Sequence, residues 1–565
     1  MALDESERTQ GTRAAISSAA GISFASARGW ALLFVGFLLL CLVLYWPALA
    51  GPFVSDDIAY LVTHPYTGAL SPESLRAIFD PWGPARLYTA NYEPVHLLLG
   101  ALERHIFADA TLGYHLVNVF VHALVAVLLV ACLCRVGVWP RVALLGGLFF
   151  LVHPANVEVV AWASQLKSCA SLAFALAALL VLSRAPLASA LLFALSLLTK
   201  ATGLFALPSA AALFWTQRRG GATRCGDARW LAVWLGVALL YAVPQITAFA
   251  HLGAADASFD GPWVHLRSCA AVGMRYARMA ATGLGVSAFQ EPAPAVSWLD
   301  PYWLAAVPTA ALLVWRSVVA LWRGRAEAAC WVAAAAAFAP VSQLFPFLNP
   351  VADRYLYFIL PGLIGGVLLW AQDFLARSQR PRLGSGRVLA AVFGALIAWF
   401  AWQSAERAPL WRSETLLLVD AARHYPDGIS AHFLRARSAA QAGDAEAAVA
   451  ALQAVADRGL DRFMAVRDDP GLAPLRDDPA FRRVIRAMAG RWIERARQRG
   501  YATQPELRVL GLAHLEREEH ADAVVALEAS LRVGGPLDAV VRAELAEARA
   551  RLADSRGAQH FRPAP

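Results

Sequence analysis

Between residues 30 and 405 the chain alternates apolar runs with short polar stretches. The first run, Trp30 to Ala50, has the length a helix needs to cross a hydrocarbon layer about 30 Å thick at about 1.5 Å per residue. Further runs fall near 111–134, 141–152, 168–183, 187–199, 202–216, 230–250, 302–322, 328–345, 355–376 and 388–405, which predicts about eleven spans. A signal peptide is the alternative for the first run. Its length, and the many spans after it, favour a retained helix.

From about residue 406 the pattern becomes alanine-rich, charge-dense and helical. Ala431 to Gly459 reads as two helices around a Gly443-Asp444 turn, and Leu507 to Gly534 as two helices around Glu519-His520, with small residues such as Ala447 and Ala523 at the packing positions. Asp468-Asp469-Pro470 and Asp477-Asp478-Pro479 read as helix starts, where a carboxylate caps the first turn. The predicted fold is an all-α membrane protein. An N-terminal segment, 1–29, leads into a polytopic domain, 30–405, and an α-solenoid of tetratricopeptide-like helices, 406–565, follows.

Composition agrees with this division. The chain of 565 residues is 58% hydrophobic and 16% charged, against roughly 45–50% and 25% in soluble globular proteins. An ordinary soluble enzyme, a disordered chain and a disulfide scaffold are all excluded. The seven cysteines show no metal-type spacing, and none follows Cys330. A net charge of +8 raises the question of nucleic acid, but the basic residues sit between the apolar runs rather than in one stripe, so no nucleic-acid partner is expected. They read instead as topology signals. With the N-terminus cytoplasmic, Arg135 and Arg141, then Arg184, then Arg218, Arg219, Arg224 and Arg229, then Arg323 and Arg325, then Arg377, Arg380, Arg382 and Arg387 fall on inner loops. The outer loops are then 51–110, 153–167, 251–301 and 346–354, and an odd number of spans leaves the solenoid outside, in a periplasm or lumen.

Candidate chemistry gathers on that outer side. Asp56 and Asp57 follow the first span, and their apolar flanks Phe53, Val54, Ile58 and Tyr60 predict a segment packed down on the protein. Partial burial suits such a pair to general-base work or to holding a divalent metal. A solvated loop pair is the alternative. His153, Glu158 and Lys167 form a second cluster, with an interfacial histidine the alternative for His153. Lys167 and Lys200 are the only lysines among 50 basic residues, and both are assigned to the outer face. An ammonium serves phosphate oxygens as a point charge, whereas a guanidinium is a planar fork. Arg354, beside Tyr355 and Tyr357, is either an interfacial anchor or a clamp on an anion arriving from the bilayer. Glu93 and His96 open an amphipathic stretch and complete the candidates. No phosphate-binding glycine loop, serine elbow or HExxH motif is present.

Taken in order, Ser55-Asp56-Asp57-Ile58-Ala59-Tyr60, His153-Pro154 with Val157-Glu158-Val159-Val160-Ala161-Trp162, Leu198-Thr199-Lys200 and Asp353-Arg354-Tyr355-Leu356-Tyr357 resemble the motifs of the transmembrane and tetratricopeptide-repeat O-mannosyltransferases and their bacterial relatives, from about residue 30 to 535. Those proteins are similar to the broader GT-C class of polytopic glycosyltransferases. The resemblance implies an enzyme that moves a sugar from a polyprenyl-phosphate donor to a hydroxyl of a protein or glycan acceptor, with inversion, at the outer face of a membrane, most simply a bacterial inner membrane. It gives Asp56 or Asp57 the acidic role, Lys200, Arg354 and Lys167 the donor phosphate, and His153, Glu158, Tyr355, Tyr357, Glu93 and His96 the surrounding pocket. Lys200 is followed by Ala201 where an acidic residue is usual, and the repeat array is short. Two other readings stay open: a ligase or polymerase moving a whole lipid-linked glycan, and a membrane scaffold without catalysis.

Overall fold

A computed structural model describes residues 26–219, 228–250, 259, 261–345, 347, 349–377, 385–501, 503–535 and 537–560. Most of the N-terminal segment 1–29, parts of the 251–301 and 346–354 loops, Arg224, Cys225, Arg380 and Arg382 lie outside these residues, as does the side chain of Arg387. The described residues are all-helical, without strands.

Six helices are long and apolar enough to cross a membrane: Ala27–Ala48, Thr111–Arg135, Ala163–Val181, Arg229–Phe249, Pro301–Trp322 and Asp353–Arg377. The remaining apolar runs also fold as helices: the last is Ser385–Arg407, and the others are too short, too polar at one end, or long enough only as a bent pair. Pro140–Leu151 stops at His153-Pro154 and continues, bent by 49°, into Pro154–Ala161, because a proline cannot extend a helix it does not begin. Pro186–Thr199 and Glu327–Val341 are shorter apolar helices, and Ala206–Arg219 ends in Gln217, Arg218 and Arg219. Within the stretch read as an outer loop, Pro262–Thr282 forms a helix of 21 residues that carries Arg267, Arg275 and Arg278.

The chain forms two compact units. One comprises the chain up to Asp57, Glu93–Val243 and Ala257–Leu416; the other comprises Ile58–Tyr92, Pro244–Asp256 and the chain from Leu417 onward. In the first unit, some arginines read as topology signals are ion-paired. Arg325 bonds Asp373 at 2.5 Å and Arg377 lies 3.2 Å from the same carboxylate, while Arg316, which is not among those signals, bonds Glu327 at 2.5 and 2.6 Å from the helix Pro301–Trp322.

The second unit contains helical hairpins. Ile429–Gln441 packs on Ala445–Asp457, and Gln504–Glu516 on His520–Val533. Their seam is a core of Ala436, Ala440, Ala448, Leu452, Ala513, Ala523 and Leu527. Ala523 lies in that seam as expected. Ala447 does not: it is exposed, and its neighbour Ala448 is the buried residue, one position round the helix. Asp478 caps Pro479–Arg499 by accepting the Ala480 and Phe481 amides at 2.6 and 3.0 Å. Asp469 accepts the Gly471 amide at 2.8 Å.

Candidate active site

The segment after the first span turns sharply at Ser55, whose φ of 51° is in the left-handed region that a non-glycine residue adopts only when its surroundings enforce it. Val54 and Asp57 then bond reciprocally. The Asp57 amide donates to Val54 O at 3.0 Å, and the Val54 amide donates to Asp57 Oδ2 at 3.0 Å. Asp57 Oδ1 accepts the Ser164 amide at 2.7 Å, and the carboxyl is fully buried. Burial pushes its pKa up to about 6 against the lowering effect of those amides, and the charge of Asp56 adds to the rise. Asp56 is half-buried. The two aspartates are therefore unlike: Asp57 ties two loops together, and Asp56 has the more accessible carboxylate.

Trp162 links this loop to the cations. Its indole N–H donates to Val54 O at 3.1 Å, while the Arg354 guanidinium lies 5.5 Å from the centroid of its ring. Arg354 also lies 5.0 Å from the Tyr355 centroid and within electrostatic reach of Asp56. Glu158, buried beside it, takes the Arg354 amide on Oε2 at 2.7 Å and Nη1 on Oε1 at 2.5 Å.

The two lysines differ in their partners. Lys167 Nζ stands 3.8 Å from Glu93 Oε2, and both side chains are buried. Lys200 begins the turn after Pro186–Thr199, donates to Ser168 Oγ at 2.8 Å and sits 5.7 Å from the Phe358 centroid. Lys167, Glu93, Arg354 and Glu158 all lie within its electrostatic reach. Among the described residues no carboxylate is within ion-pair distance of Lys200. Lys200, Lys167, Glu93, Glu158 and Arg354 thus form one cluster of charges, with Asp56 at its edge.

Part of the chain is similar to known protein O-mannosyl-transferases. One, from Caenorhabditis elegans, is 30% identical over 183 residues, which is 30% of this chain and 26% of that protein. Another, from Mus musculus, is 29% identical over 141 residues, 24% of this chain and 15% of that protein. The chain thus matches about a quarter of the first relative's length and less of the second's. No family model matches the chain, and no solved structure does.

Two sequence candidates, His153 and Tyr357, bond elsewhere. His153 accepts the Ala155 amide on Nδ1 at 3.2 Å, faces Ala280 O with Nε2 at 3.3 Å, and packs edge-on against Phe400. It shapes the helix break. Tyr357 is fully buried, with its hydroxyl 3.0 Å from His122 Nδ1. His96 is buried on the helix Pro94–Phe107 that Glu93 opens. Tyr355 is half-buried against Phe347 and under Arg354. Asp56 and Asp57 fit a metal poorly as a pair, since both Asp57 oxygens already accept backbone amides. The metal-compatible trio among the described residues is instead His514, Glu519 and Asp522 in the second unit.

Sequence reasoning passed over Glu103 and gave Asp353 no role. Glu103, on the helix Pro94–Phe107, is buried; burial and the charge of Asp57 push its pKa up to about 9. Asp353 Oδ1 accepts Gln290 Nε2 at 2.7 Å, and Oδ2 lies 3.8 Å from Arg407 Nη2. An Asp before an Arg at a span boundary was a readable signal for the second of these. Nothing local marks Glu103.

Proposed function

We propose that this protein is an inverting glycosyltransferase of the GT-C type that takes a sugar, mannose by the names of its relatives, from a polyprenyl-phosphate donor and places it on a hydroxyl of a protein or glycan acceptor. In this reading the pocket opens at the outer face of the membrane, the shorter apolar helices complete about eleven spans, and the hairpins form a tetratricopeptide-like solenoid that presents the acceptor in the periplasm. The bilayer holds the donor's lipid tail while its phosphate reaches the pocket.

The observation that carries the proposal is the position of Trp162, one indole joining the aspartate loop to Arg354. Transfer to a hydroxyl needs a base, and the sugar carries positive charge in the transition state. Asp56 is the carboxylate with room for both tasks, and Asp57 holds the loop that bears it. The departing phosphate is an anion already, so it needs cations rather than a general acid. Lys200, without a carboxylate partner, and the part of the Arg354 guanidinium not engaged by Glu158 meet that need.

Purified protein in liposomes, given radiolabelled polyprenyl-phosphate mannose and a serine- and threonine-rich acceptor, tests the reading. Label should pass to the acceptor with wild type, fall sharply with Asp56→Asn, and require more donor with Lys200→Met. Equal labelling by all three proteins would overturn the site, and label passing from no polyprenyl-phosphate sugar would overturn the activity.

A further inference from the structure

Helix Thr111–Arg135 carries a stripe of three buried polar residues, His115, Asn118 and His122, spaced by three and four positions so that they share one face. Burial of such groups is costly unless each is hydrogen-bonded. Their bonds go to backbone or side chain in stretches that carry the candidate site. His115 Nε2 lies 3.1 Å from Gly51 O, on the loop leading to Asp56. Asn118 Nδ2 donates to Trp162 O at 2.8 Å, with Ala163 O at 3.3 Å and Val160 O at 3.4 Å. His122 Nε2 lies 3.1 Å from Leu151 O, just before the helix break, and its Nδ1 is 3.0 Å from the Tyr357 hydroxyl, on the helix of Arg354. A carbonyl oxygen only accepts, so both histidines hold their proton on Nε2. That leaves His122 Nδ1 as an acceptor for the Tyr357 hydroxyl, which also lies 3.6 Å from Cys169 Sγ.

These carbonyls lie in turns or in the last residues of helices, where the ladder leaves C=O groups without partners. We infer that His115, Asn118 and His122 are positioning residues that hold the aspartate loop, the Glu158–Ser164 segment and the Arg354 helix in register for the reaction; this rests on the glycosyl-transfer reading. The stripe acts through two separable routes. Asn118 fixes Trp162 and Ala163, beside the Ser164 amide on Asp57 and the indole on Val54. His122 acts through Tyr357, three residues along the helix from Arg354.

The routes predict different kinetic signatures. Asn118→Asp keeps the size and removes the amide donor; a misplaced base should lower kcat by about a hundredfold with the donor KM changed by less than about threefold. His122→Phe keeps the ring and removes both bonds; it should raise the donor KM by about tenfold with a smaller change in kcat. Hydrogen exchange on the same full-length proteins gives a readout that needs no activity. Asn118→Asp should speed exchange at the Ser164 amide and over 51–57 while leaving helix Leu166–Val181 protected. Asn118→Ser, a donor of shorter reach, serves if the aspartate variant does not accumulate, and should show the same pattern more weakly. Unchanged exchange at Ser164, or kcat and KM altered in the same proportion by both variants, would overturn the assignment. The expected exchange pattern in Asn118→Asp, alongside a wild type that transfers no sugar, would overturn the glycosyl-transfer reading and support the positioning geometry.

Discussion

Glu158 holds Arg354 at two points, taking its backbone amide on one carboxylate oxygen at 2.7 Å and its guanidinium on the other at 2.5 Å. The side chain is thereby fixed at the start of its helix while the rest of the guanidinium fork stays available to a ligand. Arg354→Lys keeps the charge but loses the fork, so the donor KM should rise by about tenfold with the fold intact. Arg354→Ala leaves a buried carboxylate without its cation. That should cost about 3–5 kcal/mol and show as a lower melting temperature.

The unlike settings of the two aspartates predict unlike variants. Asp56→Asn should remove the base and lower kcat by about 10²–10⁴-fold with little change in melting. Asp57→Asn should instead turn an amide group toward a backbone N–H, destabilising the loop by about 1–3 kcal/mol. The wild-type carboxyl has its pKa raised from 3.8 to about 6. Its contribution to stability is therefore full below pH 3.8 and is lost as pH rises toward 6; the asparagine variant should lack that slope. Parallel melting curves for wild type and Asp57→Asn from pH 4 to pH 6 would count against this setting.

Glu103 has the larger shift, from 4.5 to about 9, so the folded protein keeps a proton there that the unfolded chain releases. The sign follows directly: wild type has this stability in full below pH 4.5 and loses it as pH rises to about 9, at up to about 1.4 kcal/mol per pH unit. Glu103→Gln mimics the neutral acid without titrating. Its melting temperature should match wild type near pH 4.5, exceed it by a growing margin as pH rises, and hold a constant margin above pH 9.

Much of this arrangement was legible because membrane segments and caps are local signals. Apolar runs marked the helices, and the Asp-Pro pairs marked two starts whose second aspartate does the capping. Asp56, Asp57, Glu158, Lys200 and Arg354 were visible as costly polar residues at the ends of apolar runs. Their pairing was not: Glu158 meets Arg354 across 196 positions, and Lys200 meets Ser168 across 32. Six of the expected spans are long enough by themselves, and short apolar helices such as Pro186–Thr199 fall below that length. His153 looked chemical because histidine is reactive, yet backbone groups occupy both of its nitrogens.

In the second unit, two glycines in helices offer a matched test of packing. A Cβ at Gly511 would meet Leu527 Cγ at 2.5 Å and Ala523 O at 3.3 Å, in the seam between Gln504–Glu516 and His520–Val533. Neither atom is a free tip that can swing aside, so the hairpin must open. A Cβ at Gly490 would meet the end of the Arg517 side chain, Nη1, at 2.6 Å, and that flexible tip can move away. Alanine is favoured over glycine in a helix by roughly 0.5–1 kcal/mol, while overpacking a seam costs about 1–3 kcal/mol. Gly511→Ala should therefore be a net loss, with faster hydrogen exchange across 504–533 in the full-length protein, and Gly490→Ala should be neutral or slightly protective. The opposite order would mean that the 504–533 hairpin does not pack as closely as Gly511 and Leu527 imply.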